Sequence, residues 1–166
     1  MILKEKILFS EGECKSIVSF KNTNVTNWKI KDRKYNSQSI HYSNETRWLF
    51  DKLKLFFENE TDNQIQIIKN QLHFHKFVKG DWFGKHNDIR ENRLYAVGVL
   101  LNDNFEGGDF LFYNPTGQRL NKIIGNAYIF DVRIEHEITP ILEGERYSLL
   151  WFLQRDHIKS NINKLL

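Results

Sequence analysis

The sequence predicts a mainly β chain of α+β class, with a sandwich or barrel core braced by helices at its N-terminal end. Three observations carry this. Beyond residue 64, short apolar or alternating runs recur at 66–78, 94–101, 109–113, 127–130, 136–141 and 147–153. Turn-forming stretches such as Lys79-Gly80-Asp81, Asn114-Pro115-Thr116-Gly117 and Glu143-Gly144-Glu145 separate them, the pattern of many short antiparallel strands. Before residue 65 the apolar spacing is helical in two places. Composition agrees: 166 residues, 40% hydrophobic and 14% aromatic with only 2 Pro and 9 Gly, describe a globular chain able to bury one core.

Residues 2–9 read as a short strand. Ser10 followed three positions later by Glu13 is a capping box, so a helix follows, with Cys14, Ile17, Val18 and Phe20 on its buried face. Residues 21–43 are rich in Asn, Thr, Ser and Lys, with isolated Trp28, Ile30, Tyr35 and Ile40. They predict irregular strands and a long loop. A second helix over 44–58 buries Trp48, Leu49, Leu53, Phe56 and Phe57 against the sheet. The whole chain, 1–166, reads as a single domain, with helical support and a variable lid segment in 1–65 and the β core in 66–155.

The net charge of +3 arises from 24 basic and 21 acidic residues that are largely interspersed. Such a balance gives no reason to expect nucleic acid as a partner. The cluster Lys29, Lys31, Arg33 and Lys34, interrupted by Asp32, reads as a solvated loop or edge strand. A lone Cys14 excludes an internal disulfide framework and a cysteine-rich zinc site, and a reducing compartment suits it. The apolar run at the N-terminus is too short and interrupted for a signal peptide, and no window approaches a membrane span. A soluble, cytoplasmic protein without a membrane partner is expected.

The chemistry concentrates in "GKHNDIR" at 84–90. In an extended strand His86 and Asp88 point to the same face and present a nitrogen and an oxygen to one ion. Alone, such a pair reads as a solvated polar loop, and the rest of the chain must decide. Of the other histidines (His41, His73, His75, His136 and His157), His136 is the best third member, because "IEHEITPI" reads as a late strand that a sandwich can lay beside an early one. Two imidazoles and a carboxylate form the facial triad of non-haem Fe(II) oxygenases, leaving open positions for a co-substrate and O2. Ten residues after His136, Arg146 offers a planar fork for a carboxylate at the far end of such a pocket. His73 and His75 share a strand face and form a rival ligand pair, while His41 and His157 read as surface residues. A zinc hydrolase built on the same three ligands, and a non-catalytic jelly-roll binding protein, are the readings from other classes. Trp82 and Phe83 are candidates for a substrate wall, and Trp151 for the core.

In its ordered set of residues the chain resembles the Fe(II)- and 2-oxoglutarate-dependent dioxygenases, and within them the prolyl 4-hydroxylase-like branch. His86-x-Asp88, "LLNDNFEGGDFLFY" at 100–113, "GNAYIFD" at 125–131, His136, and Gly144-x-Arg146-Tyr147 with Trp151 carry the resemblance. The opening "FSEGECKSIV" extends it over most of the chain, with residues 21–65 matching least. The resemblance implies a double-stranded β-helix, the jelly-roll or cupin-like core, with iron held by His86, Asp88 and His136. It implies 2-oxoglutarate bound through its distal carboxylate by Arg146, and ascorbate as a reductant. The activity implied is hydroxylation of an unactivated C–H bond, first of a prolyl or other residue in a peptide or protein, and alternatively of a free amino acid or small metabolite. Asp88 in place of a small residue favours hydroxylation over halogenation. Phe152, where base demethylases carry a second arginine, argues against nucleobase repair. Relatives place a co-substrate-binding tyrosine at the position of Phe77 or Leu100, and neither residue has a hydroxyl. Residues 21–43 and 79–85 are the expected lids.

Overall fold

The computed structural model describes residues 2–20, 25–58, 65–67, 72–90, 92–114 and 117–155. Strand β1 (Ile2–Ile7) leads into helix α1 (Glu11–Val18), whose capping box forms as expected: Glu13 N–H donates to Ser10 Oγ at 3.1 Å and Ser10 N–H to Glu13 Oε2 at 2.9 Å. Helix α2 (Arg47–Glu58) buries Leu49, Phe50, Leu53, Phe56 and Phe57 along one stripe. Each such side chain contributes about 1.5–3 kcal/mol on burial. Lys52 of α2 reaches Glu13 Oε1 at 2.7 Å and ties the two helices together.

The stretch expected to be irregular holds a regular hairpin instead, β2 (Val25–Ile30) and β3 (Arg33–Ser39), in register from Val25 opposite Gln38 to Ile30 opposite Arg33. Polarity hid it. Strand β2 is exposed along its length, and β3 buries only the alternate residues Tyr35 and Ser37. The remaining strands are β4 (Ile65–Ile67), β5 (His73–Phe77), β6 (Trp82–His86), β7 (Arg93–Leu100), β8 (Phe105–Gly107), β9 (Phe110–Tyr113), β10 (Gly117–Arg119), β11 (Asn126–Asp131), β12 (Glu135–Ile138), β13 (Ile141–Gly144) and β14 (Arg146–Arg155). Thus the run at 66–78 is broken, with 68–71 outside the described residues, and most of the expected lid at 79–85 belongs to β6. The run at 136–141 divides at Thr139-Pro140, where proline has no N–H to continue the ladder.

The strands curl into one sheet in the order β1-β11-β7-β14-β5-β3-β6-β12-β9-β10, with β2 on β3 and β4 on β14; β13 and β8 form a second, two-stranded sheet. Neighbours far apart in sequence, such as β14 between β5 and β7, give the antiparallel double-stranded β-helix. Alternation along each strand sorts side chains between two cores. On β14, Leu149, Trp151 and Leu153 face the helices, and Trp151 meets Phe50 and Phe57 edge-on at 5.5 and 5.7 Å. Phe152, with Ala96, Tyr128 and Phe130 of neighbouring strands, belongs to the second core, inside the curl. The site lies on that inner face. Among the described residues no helix is long and apolar enough to cross a membrane. Cys14 is buried in α1, and desolvation pushes its thiol up to about 11, so it packs as a small apolar group.

Candidate active site

His86 ends β6 and His136 lies directly opposite it on β12. Non-local pairing thus unites residues fifty positions apart. Asp88 follows two residues after the end of β6, where its N–H donates to Val132 O at 2.9 Å. His86 Nδ1–H donates to Gly84 O at 2.7 Å and His136 Nδ1–H to Ile134 O at 2.9 Å. Both bonds select the tautomer with a bare Nε2. Those two nitrogens face the carboxylate: His86 Nε2 is 3.7 Å from Asp88 Oδ1 and His136 Nε2 is 3.3 Å from Oδ2. Asp88 Oδ2 is buried without a hydrogen-bond partner.

Three converging lone-pair atoms repel one another unless a positive charge, a shared proton or a metal cation, sits among them. The ligand atoms lie within 4.8 Å of one another, and among the described residues no other trio of His, Cys, Asp and Glu does so. The donor set, two imidazole nitrogens and one carboxylate, suits iron(II) with open positions. Burial works against ionising Asp88, but the imidazole of His136, then His86 and Arg93, outweigh it and hold its pKa below the usual value. Phe83 stacks on His86 at 3.7 Å and Phe110 on His136 at 5.3 Å, restraining both rings.

Arg146 begins β14 and is only 1% exposed. Its Nη1 donates to Ser148 Oγ at 2.7 Å, its Nε has no partner, and among the described residues no carboxylate pairs with it. Desolvation pulls its pKa down, and the neighbouring Tyr128 hydroxyl opposes this. A buried cation without a counter-ion is costly, so the pocket is made for an anion. Phe77 and Leu100 are both buried and bring no hydroxyl here. Tyr128 and Ser148 do. Tyr128 lies opposite Gly98 across β11 and β7, and a Cβ at position 98 would fall 2.2 Å from its Cζ and hydroxyl oxygen. Gly98 is therefore the space that the tyrosine ring fills. Sequence reasoning missed Tyr128, because an aromatic in an apolar run reads as core; Gly98 inside a strand was the available signal.

A cleft of about 410 Å³ opens beside His86 and Asp88, walled by Trp28, Tyr35, Phe83 and Phe152. His73 and His75 line it from β5 and stand outside the convergent trio. Burial pushes His75 down to about 3, so it is neutral. Trp82 is half-buried and does not line the cleft, whereas Phe83 does. Arg33, expected in a solvated stretch, instead covers the Phe83 ring at 4.3 Å on the cleft wall. Asp109 meets Lys122 at 3.3 Å and Arg119 at 3.5 Å beside the Gly107-Gly108 turn. His41 is exposed, and His157 lies outside the described residues.

Comparison with known proteins places this geometry in a family. The profile of the "2OG-Fe(II) oxygenase superfamily" matches residues 72–154. The chain is 23% identical over 150 residues to a PKHD-type hydroxylase from Idiomarina loihiensis, covering 84% of this chain and 67% of that one. With a second PKHD-type hydroxylase, from Shewanella baltica, it shares 26% identity over 92 residues, 49% of this chain and 41% of the other. The fold is similar to that of a viral collagen prolyl hydroxylase from Paramecium Bursaria Chlorella virus-1, solved as its 2-oxoglutarate complex, with TM-score 0.72 and 15% identity over 92% of this chain and 95% of that one. The matched segment runs from just before β5 to the penultimate residue of β14 and so contains every residue of the trio and Arg146. This chain belongs to the 2-oxoglutarate- and Fe(II)-dependent oxygenase superfamily and is a 2-oxoglutarate-dependent dioxygenase.

Proposed function

We propose that His86, Asp88 and His136 hold the iron, that Arg146 binds the distal carboxylate of 2-oxoglutarate, and that the enzyme hydroxylates a prolyl or other amino-acid residue in a peptide or protein. One observation carries the site assignment. Among the described residues, two buried side-chain polar atoms lack a hydrogen-bond partner, Asp88 Oδ2 and Arg146 Nε. The first matches a cation and the second an anion, which is what iron and a dicarboxylate supply. Iron(II) with 2-oxoglutarate and O2 supplies the oxidation, in which one oxygen atom enters a C–H bond and the other leaves in succinate as CO2 departs.

The chain's own residues do the positioning. The Nδ1–H bonds of His86 and His136 to backbone carbonyls aim each Nε2 at the metal position. Ser148 holds the Arg146 guanidinium, and Tyr128 adds a hydroxyl beside it. The inner aromatics Phe110, Phe112 and Phe130 pack around His136 and close off that side of the trio. The peptide or protein substrate is supported by the relatives, which are hydroxylases by name, one of them a collagen prolyl hydroxylase.

The test incubates the full chain with Fe(II), 2-oxoglutarate and a panel of proline-containing peptides, reading mass gain and succinate together. A gain of one oxygen per succinate, lost on removal of O2, is expected. Product that forms equally without oxygen would sink the assignment and mark a hydrolase. Tyr128→Phe removes one hydroxyl from a charged partner and is expected to raise the apparent 2-oxoglutarate constant roughly tenfold without changing iron affinity. Gly98→Ala, which displaces the ring, should do the same and cost about 1–3 kcal/mol of stability. Thermal melts alongside a co-substrate titration check both.

A further inference from the structure

The inner face of β14 carries Arg146 at one end and Phe152, six residues on, at the other, roughly 20 Å apart in an extended strand. The trio lies alongside. Arg146 is enclosed, but a second guanidinium stands over the Phe152 ring: Arg93, the first residue of β7, with Cζ 3.6 Å from the ring centroid. Arg93 lines the 410 Å³ cleft that opens beside His86 and Asp88.

Charge in that cleft is unbalanced. Arg33 also lines it, but Asp32 accepts from Arg33 Nε at 3.2 Å and from Nη2 at 3.1 Å, so that cation is largely spent. Arg90 stands exposed on the rim. Arg93 has no ion pair or side-chain hydrogen bond among the described residues, and Asp88 is the sole acid among the described lining residues. If Asp88 binds metal, its charge is taken. Arg93 is half-buried, and desolvation lowers its pKa against the opposing charge of Asp88. A partly desolvated guanidinium stacked on an aromatic ring, its edge free, is built to receive a planar anion through two parallel bonds. The enclosed pocket at Arg146 accounts for one carboxylate, that of the co-substrate. The open cleft calls for another.

We propose that the primary substrate carries a carboxylate that Arg93 binds, fixing the substrate in the cleft with its reacting C–H toward the trio. This rests on the dioxygenase reading of the site and narrows its substrate class. The carboxylate is either the α-carboxylate of a free amino acid or the acidic side chain of a peptide residue beside the one hydroxylated. The cleft volume of about 410 Å³ admits either.

The test uses the full chain loaded anaerobically with Fe(II) and 2-oxoglutarate, so that binding is read without turnover. Calorimetry compares a panel of free amino acids with their carboxamides, and acetylated Xaa-Glu dipeptide amides with their Xaa-Gln counterparts. Carboxylate probes are expected to bind roughly tenfold to a hundredfold more tightly than their neutral partners in one of the two series. The series that shows the preference identifies the source of the carboxylate. Arg93→Gln should erase the preference by weakening the acidic probe alone, and Arg93→Lys should restore part of it, since charge returns without the fork. Both variants should keep the parent's 2-oxoglutarate titration, which a merely structural role for Arg93 would disturb. Equal binding of acid and amide throughout both series, or a preference that survives in Arg93→Gln, overturns the proposal while leaving the dioxygenase reading intact. Failure of the parent to develop a metal-to-ligand charge-transfer band with Fe(II) and 2-oxoglutarate overturns both.

Discussion

His86→Ala and His136→Ala are each expected to abolish turnover and to weaken iron(II) binding by more than the roughly 10–100-fold that loss of a mere supporting partner costs. His73→Ala and His75→Ala should leave iron affinity within a few fold of the parent. The contrast follows from topology. The first pair faces itself across β6 and β12 with Asp88 alongside, so each Nε2 is one of three converging donors. His73 and His75 share a face of β5, with ring centroids 6.1 Å apart, and among the described residues no carboxylate completes their set. Asp88→Gly takes away the anionic ligand without adding bulk and should likewise end hydroxylation. Iron binding by direct titration, with succinate release in parallel, measures all five variants. Loss of iron in His75→Ala with retention in His136→Ala would overturn the assignment.

The second large effect concerns Arg146. Arg146→Lys keeps a positive charge but offers one point where the guanidinium offers a fork, and the apparent 2-oxoglutarate constant should rise roughly tenfold to a hundredfold. Arg146→Met should be worse, because the carboxylate would then meet an apolar wall with no counter-charge. Ser148 would also lose the donor that now reaches it at 2.7 Å. Iron affinity should barely change in either variant, since the guanidinium is no part of the trio. A co-substrate titration of succinate release, set beside an iron-binding measurement, separates the two sites. If both variants titrate like the parent, the dicarboxylate is held elsewhere.

Much of the β half was legible because its signals are local. Period-two alternation with Gly and Pro punctuation marked 94–101, 109–113 and 127–130 within a few residues of β7, β9 and β11. Ser10 and Glu13 announced α1 through a capping box that needs no tertiary partner. The hairpin β2–β3 escaped because its side chains are polar and β2 is exposed throughout, which leaves no hydrophobic face to read. Strand β6 escaped because the Gly and Asp before it and the Gly84 within it look like turn chemistry.

By itself, the sequence determined the class of fold and offered an ordered set of candidate ligands, since residue chemistry and spacing along the chain are its own properties. His86, Asp88, His136 and Arg146 could be proposed as the site without coordinates. What only the tertiary structure decided is which groups from different strands meet. Cross-strand register puts Tyr128 over Gly98, lays Arg93 on Phe152, and turns Arg33 from a solvated stretch onto Phe83. The physical reason is that a strand's neighbours are chosen by long-range pairing, and a curled sheet can supply a hydroxyl or a guanidinium to one inner face from any strand that reaches it.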